Sequence, residues 1–324
     1  MAIWENCMVE WPVGSNSLTG MTRAEFLRIA AGAITALALG GRSAESGATS
    51  VASMQMRAIP STGKPLPVIG LGTYQGFDVA PGSAEYARLP GVLQALFAAG
   101  GSVIDSSPMY GRAEATTGEL LAADGSRPKA FVATKVWTRG RAEGLLQMNE
   151  SLRLMHADPL DLMQVHNLVD WRTHLPVLRE WKEAGRIRYI GMTHYSAGAY
   201  DELAAVMRAE RFDFVQINYS LDERDAERVI LPLAANRGMA VLINRPFGGG
   251  GLLRRLRGRP LPAWAGEIGV TSWAQLLLKF VLSHPAVTCA IPGTGRPEHM
   301  ADNARAGIGA IPDAAFWRRH PLDL

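Results

Sequence analysis

From about Met56 onward, short apolar runs alternate with stretches whose apolar residues recur at helical spacing. The runs are Leu66–Gly72, Ser102–Asp105, Ala130–Lys135, Leu160–His166, Tyr189–Thr193, Phe214–Asn218, Ala240–Asn244 and Thr288–Ile291. They are of strand length and nearly continuous in apolar character, as parallel strands covered on both faces must be. Between them the spacing predicts helices over Pro90–Ala99, Ala113–Ala123, Ala142–Met155, Thr173–Ala184, Ala199–Ala209, Glu227–Asn236 and Thr271–Ser283, with Pro297–Ala306 after the last run. Gly100, Gly185 and Gly238 stand where a left-handed residue ends a helix. This strict alternation predicts a (β/α)8 TIM barrel over residues 56–324. A doubly wound sheet is the structural rival. It would place a G-x-G-x-x-G loop after its first strand, and no such loop follows Gly72.

The first 55 residues lack this rhythm and are expected to form a leader or tail outside the barrel. Within them, basic Arg23 and Arg28 precede a weakly apolar stretch and then the small, polar segment Gly41–Ser53. That order is the layout of an export signal. The pattern around Thr22–Arg28 resembles a twin-arginine translocation signal, with Ala24 where the second arginine belongs. A leader with no address is the alternative, and Met21 is an alternative start. The expected location is therefore cytoplasmic, or periplasmic if the signal functions, in a bacterial protein derived from an exported ancestor.

Composition narrows the function classes. Hydrophobic residues make up 48% and charged residues 19%, which excludes disorder over most of the length. Thirty-three Lys and Arg against 30 Asp and Glu leave +3, too little to make nucleic acid or an anionic membrane the main partner. Cys7 and Cys289 build neither a disulfide framework nor a zinc site, and the histidines His156, His174, His284 and His320 lack ligand spacing, so no metal is expected. The longest apolar run, Ile29–Leu39, is too short to span a bilayer.

In a barrel, chemistry sits at the C-terminal ends of the strands. Consecutive predicted strands end in Asp105, Lys135 and His166, and Tyr110 follows the first of these closely. Lys135 and Asp105 are tolerable in a core as a pair. A tyrosine beside an ammonium is expected to have its pKa pulled down toward working pH. Tyr110 is then a general acid, Lys135 its tuner, Asp105 the tuner's partner and His166 a hydrogen-bonding orienter.

These residues and their surroundings resemble the aldo-keto reductase family. The resemblance runs from about Met56 to His320. It is carried by Ile69-Gly70-Leu71-Gly72-Thr73-Tyr74, Asp105-Ser106-Ser107-Pro108-Met109-Tyr110-Gly111, Thr134-Lys135, Gln164-Val165-His166, Ile190-Gly191-Met192-Thr193-His194 and Ile291-Pro292-Gly293-Thr294. The family's catalytic Asp, Tyr, Lys and His match Asp105, Tyr110, Lys135 and His166. The resemblance implies reduction of an aldehyde or ketone, a small-molecule substrate, by NADPH, with NADH possible. It implies cofactor contacts at Gly72, Thr73, Tyr74, Thr193, His194 in place of an Asn, Gln216, Asn244, Arg245, Pro246, Phe247, Gly248 and Ile291. It extends them to Gly293 in place of a lysine, Thr294, Arg296, His299 in place of an arginine, Asp302 and Asn303. With Arg296 the main cation and His299 only partly charged, the preference for NADPH is expected to be modest. Arg254, Arg255, Arg257 and Arg259 are either phosphate contacts or a solvated loop. Tyr74, Trp137, Asn167 and Trp171 are expected to line the substrate pocket, or else to pack in the core. Two other functions remain open at this level: a Schiff-base lyase with Lys135 as nucleophile, and a cofactor-holding sensor or subunit with little turnover.

Overall fold

An antiparallel hairpin opens the barrel domain of the computed structural model, which describes residues 53–322. The export-signal layout lies outside the described residues. The hairpin joins β1 (Met56–Ala58) to β2 (Pro65–Pro67), pairing Met56 with Pro67 and Ala58 with Pro65. Eight strands then follow: β3 (Leu71–Gly72), β4 (Val103–Asp105), β5 (Phe131–Val136), β6 (Leu160–His166), β7 (Ile187–His194), β8 (Phe214–Asn218), β9 (Ala240–Asn244) and β10 (Cys289–Ala290). Each pairs in parallel with the next, in chain order. Parallel bridges from Ile69 to Ala290 and from Gly72 to Gly293 close the ring. The chain is thus a (β/α)8 barrel.

The run Leu66–Gly72, read as one strand, divides. Pro65 and Pro67 have no N–H to donate to an interior ladder, so this stretch serves the hairpin, and the barrel strand shrinks to Leu71–Gly72 with Val68 and Gly70 each bonded to Ala290. Met54 and Gln55, counted with the leader, belong with the folded chain: Met54 is buried, and the Gln55 N–H donates to the Gly307 carbonyl at 2.8 Å.

Helices α1 (Leu89–Ala98), α2 (Ala113–Ala123), α3 (Arg141–Leu154), α4 (Trp171–Glu183), α5 (Tyr200–Ala209) and α6 (Ile230–Arg237) alternate with the strands, close to the expected spans. A short helix, α7 (Gly251–Arg255), occupies the arginine-rich stretch read as loop. It is followed by α8 (Trp273–Ser283), α9 (Pro297–Arg305) and a further unexpected helix, α10 (Ala314–Arg319). Among the described residues no helix is long and apolar enough to cross a membrane.

What positions the site is the period of two along each strand. Phe131, Ala133 and Lys135 share one face of β5; Leu162, Gln164 and His166 share one face of β6; Phe214 and Gln216 share one face of β8. The lower members of these series join Ile59, Leu66, Val103, Tyr189, Ala240, Leu242, Cys289 and Ile291 in one buried apolar cluster. Ile59 and Leu66 come from the hairpin region, which therefore plugs the N-terminal end of the barrel. The upper members, at the C-terminal end, are polar. Gly191 makes room for one of them: a Cβ there would stand 2.8 Å from Gln164 Cγ.

Candidate active site at the barrel mouth

Asp105, the last residue of β4, is 3% exposed, and Lys135 of β5 is fully buried. The Lys135 ammonium donates to Asp105 Oδ2 at 2.6 Å and to the Ser106 carbonyl at 2.6 Å. The other carboxylate oxygen, Oδ1, accepts from Gln164 Nε2 at 3.0 Å and Gln216 Nε2 at 2.8 Å. The carboxylate is therefore held from three strands, which makes so costly a buried ion pair tolerable. Tyr110 lies in the loop between β4 and α2, and Lys135 Nζ is 5.1 Å from its ring centroid. The imidazole of His166, at the end of β6, meets the Tyr110 ring edge-on at 6.1 Å. The four groups expected from successive strand ends thus meet on one side of the mouth.

Their protonation follows from burial and neighbours. Burial works against the charge on Lys135, but Asp105 and Tyr110 together hold its pKa above the ordinary lysine value. The expected lowering of the Tyr110 pKa is not what the fold produces. Burial of the phenol outweighs the pull of Lys135, with Asp105 adding to the rise, so the pKa stands above the ordinary tyrosine value. Tyr110 is accordingly a protonated phenol at neutral pH. His166 is pushed down to about 2 by burial, then by Lys135 and His194, and is neutral. Its Nδ1 pairs with Ser107 Oγ at 3.1 Å, while that oxygen accepts the Met109 N–H at 3.4 Å. With that N–H accepted, the Ser107 hydroxyl proton is free to donate to Nδ1, the arrangement that puts the ring proton on Nε2. The same geometry weighs against a Schiff-base role for Lys135, which needs a neutral, accessible amine.

A cavity of about 960 Å³ opens above this floor. Of the expected cofactor residues, Gly72, Tyr74, Thr193, Gln216, Asn244, Arg245, Pro246, Phe247, Ile291, Gly293, Thr294, His299, Asp302 and Asn303 line it. Two of these are already engaged: Gln216 on Asp105, and Asp302 on Ser272 Oγ and Gln275 Nε2, both at 2.6 Å. Four expected contacts do not line the cavity. Thr73 is fully buried and donates its hydroxyl to Ser106 Oγ at 2.9 Å. His194 accepts the Ser196 N–H on Nδ1 and stacks on Tyr195. Gly248, at φ 57°, backs onto Asp222 instead. Arg296 turns to solvent, its side chain 58% exposed and 3.9 Å from Glu298. Among the arginines after the glycines, Arg255 pairs with Asp222 at 2.8 Å, and none of Arg254, Arg255, Arg257 or Arg259 lines the cavity.

Of the expected substrate-pocket residues, Tyr74, Trp137 and Asn167 line the cavity. Trp171 does not; it starts α4 with the Arg172 guanidinium over its ring at 4.4 Å. Sequence reasoning missed Gln75, Met109, Tyr195, Leu253 and Ala274 on the wall, and Gln164 and Ser107 beneath it. The signal for Gln164 was present: it is two residues before His166 and so shares its inward face. Among the described residues no group of three or more His, Cys, Asp or Glu is placed to hold a metal ion.

The comparisons with known proteins agree with this geometry. The chain is 31% identical over 262 residues to methylglyoxal reductase YeaE of Escherichia coli K12, covering 78% of this chain and 89% of that protein. Its fold is similar to that of an aldo-keto reductase from Klebsiella pneumoniae in complex with NADPH. The TM-score is 0.69 and the identity 25%, over 83% of this chain and 94% of that one. A second aldo/keto reductase structure from the same organism, with NADP and acetate, matches at TM-score 0.67 and 26% identity, over 80% and 93% of the two chains. Residues 68–316 match the Aldo/keto reductase family, and the chain belongs to that family.

Proposed function

We propose that this protein reduces an aldehyde or ketone to an alcohol, with NADPH as reductant and NADH a weaker substitute. The observation that carries the reading is the buried Lys135–Asp105 pair beside Tyr110, on the floor of a cavity that His166 also lines. The residues present suit a dinucleotide. Thr193, Asn244, Gly249, Gly250 and Asn303 line the cavity together with Tyr110 and His166, and about 960 Å³ is more than a small carbonyl compound fills. That volume is at the upper end of the roughly 300–1,000 Å³ range of small-molecule sites. The Asn244 Oδ1 atom is buried without a partner among the described residues, as an oxygen awaiting a ligand's N–H is. Arg245 holds a cation against the glycine loop, at Gly249. On this reading Thr193 and Asn244 hold the nicotinamide end, Arg245 and the glycine loop the phosphates, and Thr294, His299 and Asn303 the adenosine end.

When bound, the reduced nicotinamide supplies a hydride to the carbonyl carbon. The chain's own residues handle the oxygen and the proton. His166, neutral and protonated on Nε2, donates a hydrogen bond that orients the carbonyl oxygen. Tyr110 gives that oxygen its phenolic proton, and the Lys135 charge stabilises the phenolate left behind. Asp105 keeps Lys135 charged and in place. The test is to mix the purified protein with NADPH and a panel of methylglyoxal, propanal and benzaldehyde, following the absorbance of the reduced nicotinamide. Carbonyl-dependent loss of that absorbance is expected, and its absence with every compound overturns the reading.

A further inference from the structure

The residue directly after His166 carries information about the substrate. Asn167, Leu168 and Asp170 all have left-handed backbones, with φ of 53°, 58° and 48°. Asn and Asp tolerate that region, but a Leu there is strained. Such strain persists only where the surroundings over-determine it, and it gathers at ligand sites. The surroundings here do so. Asp170 Oδ2 accepts the Gly140 N–H at 2.8 Å, its Oδ1 accepts the Thr173 hydroxyl at 2.8 Å, and Leu168 is buried in the core. His174 Nε2 adds a 2.8 Å bond to the Thr138 carbonyl. The loop after β6 is thereby bolted to the loop after β5, which carries Trp137, and Trp137 and His166 face each other at 6.4 Å between ring centroids.

What this rigid turn presents to the cavity is the amide of Asn167. Its Oδ1 is buried and has no hydrogen-bond partner among the described residues. Among the described residues no hydrogen bond to Oδ1 fixes which amide atom faces inward, and a half-turn about the last side-chain bond exchanges donor for acceptor. A buried polar group of this kind is normally satisfied by something. Asn167 is half-buried and directly follows His166, while the large exposed side chains Tyr74, Met109, Trp137 and Tyr195 supply much of the apolar wall around it.

We propose that Asn167 reads a second oxygen on the carbon next to the reacting carbonyl, so that the preferred substrates are 2-hydroxy and 2-oxo carbonyl compounds. This rests on the reductase reading given above. His166 and Tyr110 take the reacting oxygen, and Asn167, the adjacent residue, takes its neighbour. A hydroxyl satisfies either amide atom; a second carbonyl oxygen satisfies the amide N–H. An unsubstituted alkyl carbon satisfies neither, and a site built around a polar group discriminates strongly against a substrate that leaves it unpaired.

The test uses three aldehydes with one carbon skeleton: propanal, 2-hydroxypropanal and 2-oxopropanal (methylglyoxal). Intrinsic reactivity differs among them, so the quantity to compare is the effect of a substitution on each kcat/KM. Asn167→Leu is expected to lower the two oxygenated substrates about tenfold or more relative to propanal. Asn167→Asp keeps tolerance of the left-handed backbone and presents only acceptors. It is expected to spare 2-hydroxypropanal, which brings a donor, and to depress methylglyoxal. Far-ultraviolet circular dichroism of both variants checks that they fold. An equal change for all three aldehydes in both folded variants overturns the proposal while leaving the reductase reading intact. Failure of the wild-type protein on these aldehydes and on benzaldehyde overturns both.

Discussion

Phe214 and Gln216 are two residues apart on one strand, on the same face of one barrel, and their surroundings have opposite character. Phe214 packs against Phe131 and Tyr189, with ring centroids 5.9 and 5.4 Å away, above a hairpin that plugs the barrel. Gln216 spends its amide on Asp105 under the open mouth. The closed end is held by apolar contact, which is non-directional and forgiving of exact shape. The open end is held by directed bonds to charged groups, each of which becomes a liability when its partner is lost. One architecture thus keeps stability and chemistry at opposite ends, and substitutions at the two ends should fail in different ways.

The sharpest break between them comes from Tyr110→Phe. Loss of the proton donor is expected to lower kcat for carbonyl reduction by about 10²–10⁴-fold. Cofactor affinity, read by fluorescence titration, should barely change. At the closed end, Phe214→Ala should do the reverse. It removes about 3–5 kcal/mol of stability by urea denaturation, with kcat of the folded fraction nearly unchanged. A large loss of turnover in the folded Phe214 variant would show that the two ends are not separable.

A pH experiment sharpens the comparison further. The folded protein holds His166 neutral down to about 2, whereas the unfolded chain binds a proton there near 6.5. The unfolded state therefore carries more protons between those values, and stability should fall as pH drops through that window. His166→Gln should flatten that part of the stability curve. Activity should show no inflection from His166 near neutrality, and any loss from Tyr110 ionisation should come only above the ordinary tyrosine pKa, because its own is raised. The smallest effect belongs to Arg296→Ala. An exposed ion pair contributes up to about 1 kcal/mol, so NADPH binding should weaken by no more than about fivefold, and NADH binding by less. A change of equal size for both cofactors would place Arg296 away from the 2′-phosphate.

The same division explains what could be read in advance. Eight strands followed from apolar runs, their C-terminal ends placed to within one residue, and Asp105, Lys135 and His166 followed from those ends. The pKa direction of Tyr110 did not, because the charge of a neighbour is visible in a sequence and the depth of burial is not. His194 and Thr73 were assigned to the cofactor by position in a motif, but local bonds to Ser196 and Ser106 turn them elsewhere. The wall residues Gln75 and Tyr195 come from loops without a hydrophobic period, and Leu253 from a helix too short to show one, so no pattern marked them. The hairpin was hidden because the apolar residues on either side of Pro67 read as one run.

The closure of the ring has a mechanical consequence. Two short strands, β3 and β10, meet through bonds from Gly70 to Ala290, Ala290 to Val68 and Gly72 to Pro292. By contrast, β6 and β7 share six register pairs. This joint is the clasp of the hoop, and Gly72 on one side of it and Ile291 and Gly293 on the other all line the cavity. Whatever lies across those residues fastens the clasp, so ligand binding and barrel integrity draw on the same free energy. Amide exchange at Gly70 and Gly72 should slow on adding NADPH by a larger factor than exchange along β6 and β7. The cofactor would then act as the ninth stave of an eight-stave cask, tightening the ring in the course of serving the reaction.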